Sequence, residues 1–97
     1  MILNGRDLLV AFGKRHERAR KTIRAWVAEV EQATWKTTHD VKQRYPAADA
    51  IGANRMVFDL KSNNYRLVVV IHYVAGVVVV RFIGTHAEYD RIDATKV

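Results

Sequence analysis

Cysteine is missing from the 97-residue sequence, which removes disulfide frameworks, thiolate nucleophiles and thiolate-bound zinc from consideration. Proline occurs once, at Pro46, and glycine five times. No low-complexity segment, internal repeat or interdomain linker is visible, and the length suits one domain over residues 1–97. Long apolar runs are also lacking: the longest, Tyr73 to Val80, falls far short of the roughly 20 residues that span a bilayer. No membrane span is expected. The opening MILNGRDLLVAF meets charge within a few residues and lacks a basic leader and a small-residue cleavage site, so it does not read as a signal peptide, and a cytoplasmic address is the default. Equally absent are a phosphate-cradling glycine loop, an HExxH pair and a nucleophile elbow. His86 and Asp90 are four residues apart, but two ligands do not make a metal site.

What is present is positive charge. Sixteen Lys and Arg stand against ten Asp and Glu, for a net +6, and a field of that sign on a small domain favours a polyanionic partner. Much of the excess lies between Lys14 and Arg24, where Lys14, Arg15, Arg18, Arg20, Lys21 and Arg24 face only Glu17. By composition this cluster fits a solvated helix face as well as a nucleic-acid contact surface.

The residues are patterned first for helix and then for strand. Met1–Leu3 suits a short strand, after which Asn4 can cap a helix reaching about Phe12, with Gly13 as a break. From about Glu17 to Thr34 the apolar positions Ala19, Ile23, Trp26, Val30 and Ala33 recur at helical spacing, with Arg20, Lys21 and Arg24 on the opposite face. A further helix is expected over Thr38 to Tyr45, before Pro46, and AADAIGAN reads as a loop. The period then changes. Met56, Phe58 and Leu60 alternate with polar neighbours, Ser62-Asn63-Asn64 supplies a turn, and runs from Tyr65 to Val74 and Val77 to Ile83 complete a three-stranded antiparallel meander. Thr85-His86-Ala87-Glu88 matches a capping box opening a short C-terminal helix. The fold class is therefore α+β: two N-terminal helices on an antiparallel sheet, with a short N-terminal strand and a short C-terminal helix.

Alternation also indicates where chemistry could sit. If the helices cover the face bearing Met56, Phe58 and Leu60 together with Tyr65, Leu67, Val69, Ile71, Val78, Val80 and Phe82, then Arg55, Lys61, Arg66 and Arg81 line the opposite face. Such cations suit a nucleic-acid backbone and the charge that develops on a phosphate during cleavage. They equally suit solubility of an open face. His86 and Tyr89 follow the last strand and can reach over this face, the one to move protons and the other to donate a proton or stack on a base. Hydrolysis of RNA needs no metal or other cofactor when its own 2′-hydroxyl attacks the phosphate. His72 shares the face of Arg66 but reads as structural, and His16 and His39 have no visible partner.

Four stretches carry a family resemblance: WKT at residues 35–37, NRMVFDLK at 54–61, NYRLV at 64–68 and above all RFIGTHAEYD at 81–90. Together they resemble the HigB family of type II toxins, within the RelE superfamily. The resemblance implies a ribosome-dependent mRNA endonuclease neutralised by a HigA-like helix-turn-helix antitoxin, in a toxin-antitoxin hetero-oligomer. Carried over by position, it assigns the family's C-terminal His and Tyr to His86 and Tyr89, and its sheet-face cations to Arg55, Lys61, Arg66 and Arg81. His86 becomes the candidate proton shuttle, Tyr89 a second acid or stacking platform, Arg66 and Arg81 the phosphate clamp, and Glu88 an alternative base. Arg20, Lys21 and Arg24 would steer the protein onto ribosomal RNA. A non-catalytic RNA- or ribosome-binding module of the same fold is the alternative, and a structural interaction domain, its charge serving only solubility, is a third reading.

Overall fold

The computed structural model describes residues 1–62 and 64–97; Asn63, the middle of the expected turn, lies outside them. The chain begins with strand β1 (Ile2–Asn4), helix α1 (Arg6–Arg15), a single 3-10 turn (Glu17–Ala19), helix α2 (Arg20–Gln32) and helix α3 (Thr38–Arg44). Four strands follow, β2 (Asp49–Gly52), β3 (Arg55–Leu60), β4 (Tyr65–His72) and β5 (Val77–Thr85), and the short helix α4 (His86–Tyr89) closes the order. All five strands form one mixed sheet in the order β1-β5-β4-β3-β2. β1 runs parallel to β5, and the other neighbours are antiparallel. This is the α+β architecture expected of a RelE-like fold, with one strand more than the residue pattern indicated.

Three local expectations are corrected. Gly5, not Asn4, precedes α1: Asn4 is used by β1, and Gly5 takes a left-handed φ of 86° with its Cα against the Val80 backbone, a position without room for a Cβ. Gly13 does not break α1. It is buried within the helix, where its bare Cα lets the Arg20 side chain lie alongside and donate from Nε to the Gly13 carbonyl at 2.7 Å. The AADAIGAN loop contains β2, which pairs with β3 through Asp49–Val57 and Ala50–Met56. Backbone pairing to a neighbouring edge overrides the weak strand propensity of such small residues.

The helices bury one face of the sheet. Ile23, Trp26 and Val30 from α2, Leu9 and Phe12 from α1, and Val41 from α3 share a core with Met56, Phe58, Leu60, Leu67, Val69, Ile71, Val78, Val80 and Ile83. Trp26 meets Phe58 edge-on with ring centroids 5.5 Å apart, and Trp35 and Tyr45 complete the aromatic cluster. This is the amphipathic stripe read from α2, placed against the alternating strands.

Alternation holds until β5. Leu67 pairs with Ile83 and Val68 with Phe82, but Val69 pairs with Val80. β5 thus carries one extra residue, a bulge at Arg81–Phe82, and a bulge of this kind reverses which face later residues present. Phe82, expected in the core, is turned to the far face, and Ile83 takes the core place. The far face has its own buried centre in Val57 and Val68, at 4% and 0% exposure, outside the helix-side core. The Val-rich strands are therefore buried on both faces at their middle.

Candidate functional site

The far face of the central strands gathers three arginines. Arg55 opens β3, Arg66 lies in β4 opposite Asp59, and Arg81 sits in the β5 bulge. Arg55 Nη2 and Arg81 Nε both donate to the backbone oxygen of Val97, at 2.6 and 3.2 Å. That convergence draws the residues after α4 across this face. Arg55 Nε is buried and has no partner among the described residues, so the guanidinium keeps an unused donor in a sheltered position. Two guanidinium groups aimed at one oxygen form a geometry that suits a phosphate.

Beside this pair Arg66 makes an ion pair with Asp59, its cross-strand neighbour. It also lies over the Tyr89 ring, its Cζ 5.6 Å from the centroid. The Tyr89 ring in turn approaches Phe82, with centroids 6.4 Å apart. Had β5 run without a bulge, Phe82 would face the core and Tyr89 would lose this wall. The bulge thus serves the site as well as the strand, a common placement for such irregularities.

α4 presents the proton-handling groups. Thr85 accepts from the Glu88 N–H at 3.2 Å and donates its own N–H to Glu88 Oε1 at 2.9 Å, a complete capping box. Glu88 is further approached by Arg15 at 4.0 Å. The Thr85 backbone hydrogen bond, then the Thr85 hydroxyl and the nearby Arg15 and His16 charges, hold its carboxyl below the ordinary carboxylate range. A carboxylate so occupied is a weak base, which leaves it the capping role. His86 Nδ1 lies 3.0 Å from Asp90 Oδ2, both side chains about half exposed. A carboxylate beside Nδ1 orients the ring and favours, in the neutral imidazole, the tautomer with the proton on Nδ1 and the lone pair on Nε2. His86 and Asp90 thus meet as a hydrogen-bonded dyad, and among the described residues no three acidic or imidazole groups converge on a metal position.

Two groups of expected residues lie elsewhere. Lys61 does not join the cationic face: it adopts a left-handed φ of 52° at the end of β3, which ends the alternation, and its ammonium donates to the Arg18 carbonyl at 3.1 Å on the helix side. Arg20, Lys21 and Arg24 belong to α2, in the helical layer on the other side of the sheet, with Arg20 folded back on Gly13. His16 has acquired partners, stacking on Phe12 at 4.4 Å and standing 5.8 Å from Tyr65. His72, at the end of β4, is exposed. Sequence reading overlooked Asp59 and Asp90 as partners of site residues. For Asp90 the signal was its four-residue spacing from His86; for Asp59 it was its place in strand alternation opposite Arg66.

The model of the HigB toxin family, the RelE-like toxic component of a toxin-antitoxin system, matches residues 19–92. The chain belongs to the HigB toxin family. Arg55, Asp59, Arg66, Arg81, His86, Tyr89 and Asp90 all fall inside the matched region. No curated protein matches the chain. As a HigB-family toxin it has an antitoxin for a partner, and no helix among the described residues is long and apolar enough to cross a membrane.

Proposed function

We propose that this HigB-family toxin is an endoribonuclease that cuts mRNA on the ribosome, using the far face of the sheet as its substrate surface. The observation that carries the reading is the convergence of Arg55 and Arg81 on one oxygen, on the sheet face that also bears Arg66 against Tyr89, with the His86–Asp90 dyad on the helix that directly follows β5. In the bound state a non-bridging phosphate oxygen takes the place of the Val97 backbone oxygen. Arg55 and Arg81 then neutralise the charge that grows as phosphorus becomes five-coordinate.

The reaction balances without an outside reagent. His86 Nε2 removes the proton of the 2′-hydroxyl, the 2′-oxygen bonds to phosphorus in line, and the bond to the 5′-oxygen breaks. A proton from Tyr89 reaches the departing oxygen, giving a 2′,3′-cyclic phosphate and a free 5′-hydroxyl. Arg66, steadied by Asp59, stacks behind Tyr89 and keeps its ring at the edge of the substrate path. Asp90 acts through His86 as a positioning residue.

The test is to express the chain without its antitoxin and map mRNA ends. New ends within codons are expected, with growth arrest. His86→Ala should lower single-turnover cleavage by about 100- to 10,000-fold, the range for loss of a general acid or base. Arg81→Ala should raise the barrier by about 2–4 kcal/mol. Growth arrest with intact mRNA would replace the nuclease with a module that blocks translation by binding, and a folded His86→Ala protein of undiminished activity would remove His86 from the mechanism.

A further inference from the structure

Beyond α4, residues 93–97 close on themselves in a local turn. Asp93 Oδ1 accepts the Thr95 N–H at 3.0 Å and the Thr95 hydroxyl at 2.5 Å, the closure an aspartate makes with backbone two residues on. The Asp93 carbonyl accepts from the Lys96 N–H at 2.9 Å and from the Val97 N–H at 3.3 Å, and Lys96 Nζ stands 3.8 Å from Asp93 Oδ2. Ile92, Ala94 and Val97 are half-buried while Asp93, Thr95 and Lys96 are exposed, so the segment lies with one side down on the protein. The Thr95 hydroxyl, then the Thr95 N–H and the Lys96 and Arg55 charges, hold the Asp93 carboxyl below the ordinary carboxylate range. Asp93 thus braces the turn as an anion at neutral pH.

The turn has one distant product. It delivers the Val97 backbone oxygen to Arg55 Nη2 and Arg81 Nε, the two donors on which the substrate phosphate is placed. Strap and phosphate therefore compete for one position. A phosphate offers several charged oxygens to the two guanidinium groups, where the strap offers one oxygen. The Asp93–Thr95 bonds that close the turn are exposed, as befits a segment that opens at small cost without unfolding the domain.

We propose that residues 93–97 are a self-blocking strap, whose Asp93-braced turn holds the Val97 backbone oxygen on Arg55 and Arg81 and must be displaced before an RNA phosphate can bind there. The inference deepens the reading of the far face as a substrate surface and rests on it. A closed strap lowers apparent affinity by the fraction of molecules that are open, and leaves the chemical step untouched. RNA free in solution meets that penalty in full. RNA on the ribosome is presented at high effective concentration once the toxin has docked, and overcomes it. The strap thereby favours ribosome-held RNA over free RNA without contributing a group to the reaction.

The test uses the full chain, without ribosomes, and a single-stranded DNA oligonucleotide, which has the phosphate backbone but no 2′-hydroxyl and so binds without being cut. Asp93→Ala opens the strap and should bind this oligonucleotide about three- to tenfold more tightly, the factor for a segment closed in most molecules, with thermal unfolding unchanged. Asp93→Asn removes the same charge but keeps an oxygen to accept from Thr95, and should bind as the unsubstituted chain does. Equal tightening in both variants would reduce the effect to lost charge and overturn the strap, as would unchanged or weaker binding by folded Asp93→Ala. Amide hydrogen exchange tests the unsubstituted chain independently. The Lys96 and Val97 N–H groups, which donate to the Asp93 carbonyl, should exchange faster with oligonucleotide bound, and unchanged exchange at saturation would also overturn the inference. With a cleavable RNA in place of the DNA, Asp93→Ala should show a lower KM and the same kcat. Tighter oligonucleotide binding by Asp93→Ala with no RNA cut by any variant, on or off the ribosome, would retain the strap and overturn the nuclease reading alone.

Discussion

Gly84 offers the most direct measure of how tightly the site is built. It lies in β5 opposite Arg66, and a Cβ there would come within 2.6 Å of Phe82 Cζ and 3.1 Å of Glu88 Cβ. Two effects of Gly84→Ala compete. The extended backbone suits alanine, and stiffening the unfolded chain stabilises by about 0.4–1 kcal/mol. Overpacking against Phe82 and α4 costs about 1–3 kcal/mol. Overpacking wins by about 1 kcal/mol, because Phe82 must leave its place against Tyr89 and Glu88 is held by the capping box. For a domain of this size that lowers Tm by about 4–8 °C. The decisive assay is a double-mutant cycle followed by calorimetry. Phe82→Leu removes the ring that meets the new methyl, so the double variant should lose at least about 0.5 kcal/mol less than the sum of the two single losses. Additive losses, or a higher Tm for Gly84→Ala, would refute the packing argument. The same displacement moves Tyr89, so mRNA cleavage by Gly84→Ala measured well below its Tm should fall as well.

Gly5→Ala should be more damaging, losing about 2 kcal/mol or more, because φ of 86° disfavours any Cβ and the Val80 backbone oxygen at 2.7 Å cannot rotate away; urea unfolding reads this directly. Stability should also depend on Glu88 in acid. Its folded pKa is lowered from 4.5, so its contribution is present above pH 4.5 and is lost as pH falls through the lower folded value. Glu88→Gln should flatten that part of the pH–Tm curve, and an unchanged acid limb would show that the capping carboxylate is not ionised by preference in the fold.

The helical half and the meander were legible because burial imposes period on a sequence. Ile23, Trp26 and Val30 declare a helix face, and Met56, Phe58 and Leu60 a strand face, since each must meet the same core. The capping box at Thr85 was equally plain, as both of its partners are local in sequence. β2 was not legible, because Asp49–Gly52 has no alternation and exists only through its pairing with β3. The bulge had no signature at all: RFIG reads as ordinary alternation, and only the register against β4 shows that Arg81 and Phe82 share one position. That one residue turned Phe82 from core to site. Lys61 was misplaced for a related reason, since alternation was extended one residue past the end of β3 into a left-handed turn. Arg55 and Arg66 stand where alternation put them because each lies in a regular stretch of its strand, and Arg81 keeps the far face because it is the first residue of the bulge, before the phase reverses.

The parallel pairing of β1 with β5 has a consequence for the order of assembly. Ile2 is hydrogen-bonded in register with the Val77 region, so the sheet joins nearly the first residues of the chain to its last quarter. During synthesis the helices emerge early and can pack on each other by local contacts. β4, β5 and α4, which carry Arg66, Arg81, His86 and Tyr89, come last. Closing so long a loop costs entropy before any ladder bond repays it, and non-local pairings of this kind form slowly. A nascent chain therefore forms the α1–α2 layer before it possesses the arginine-lined face, and the candidate site is the last part of the protein to be completed.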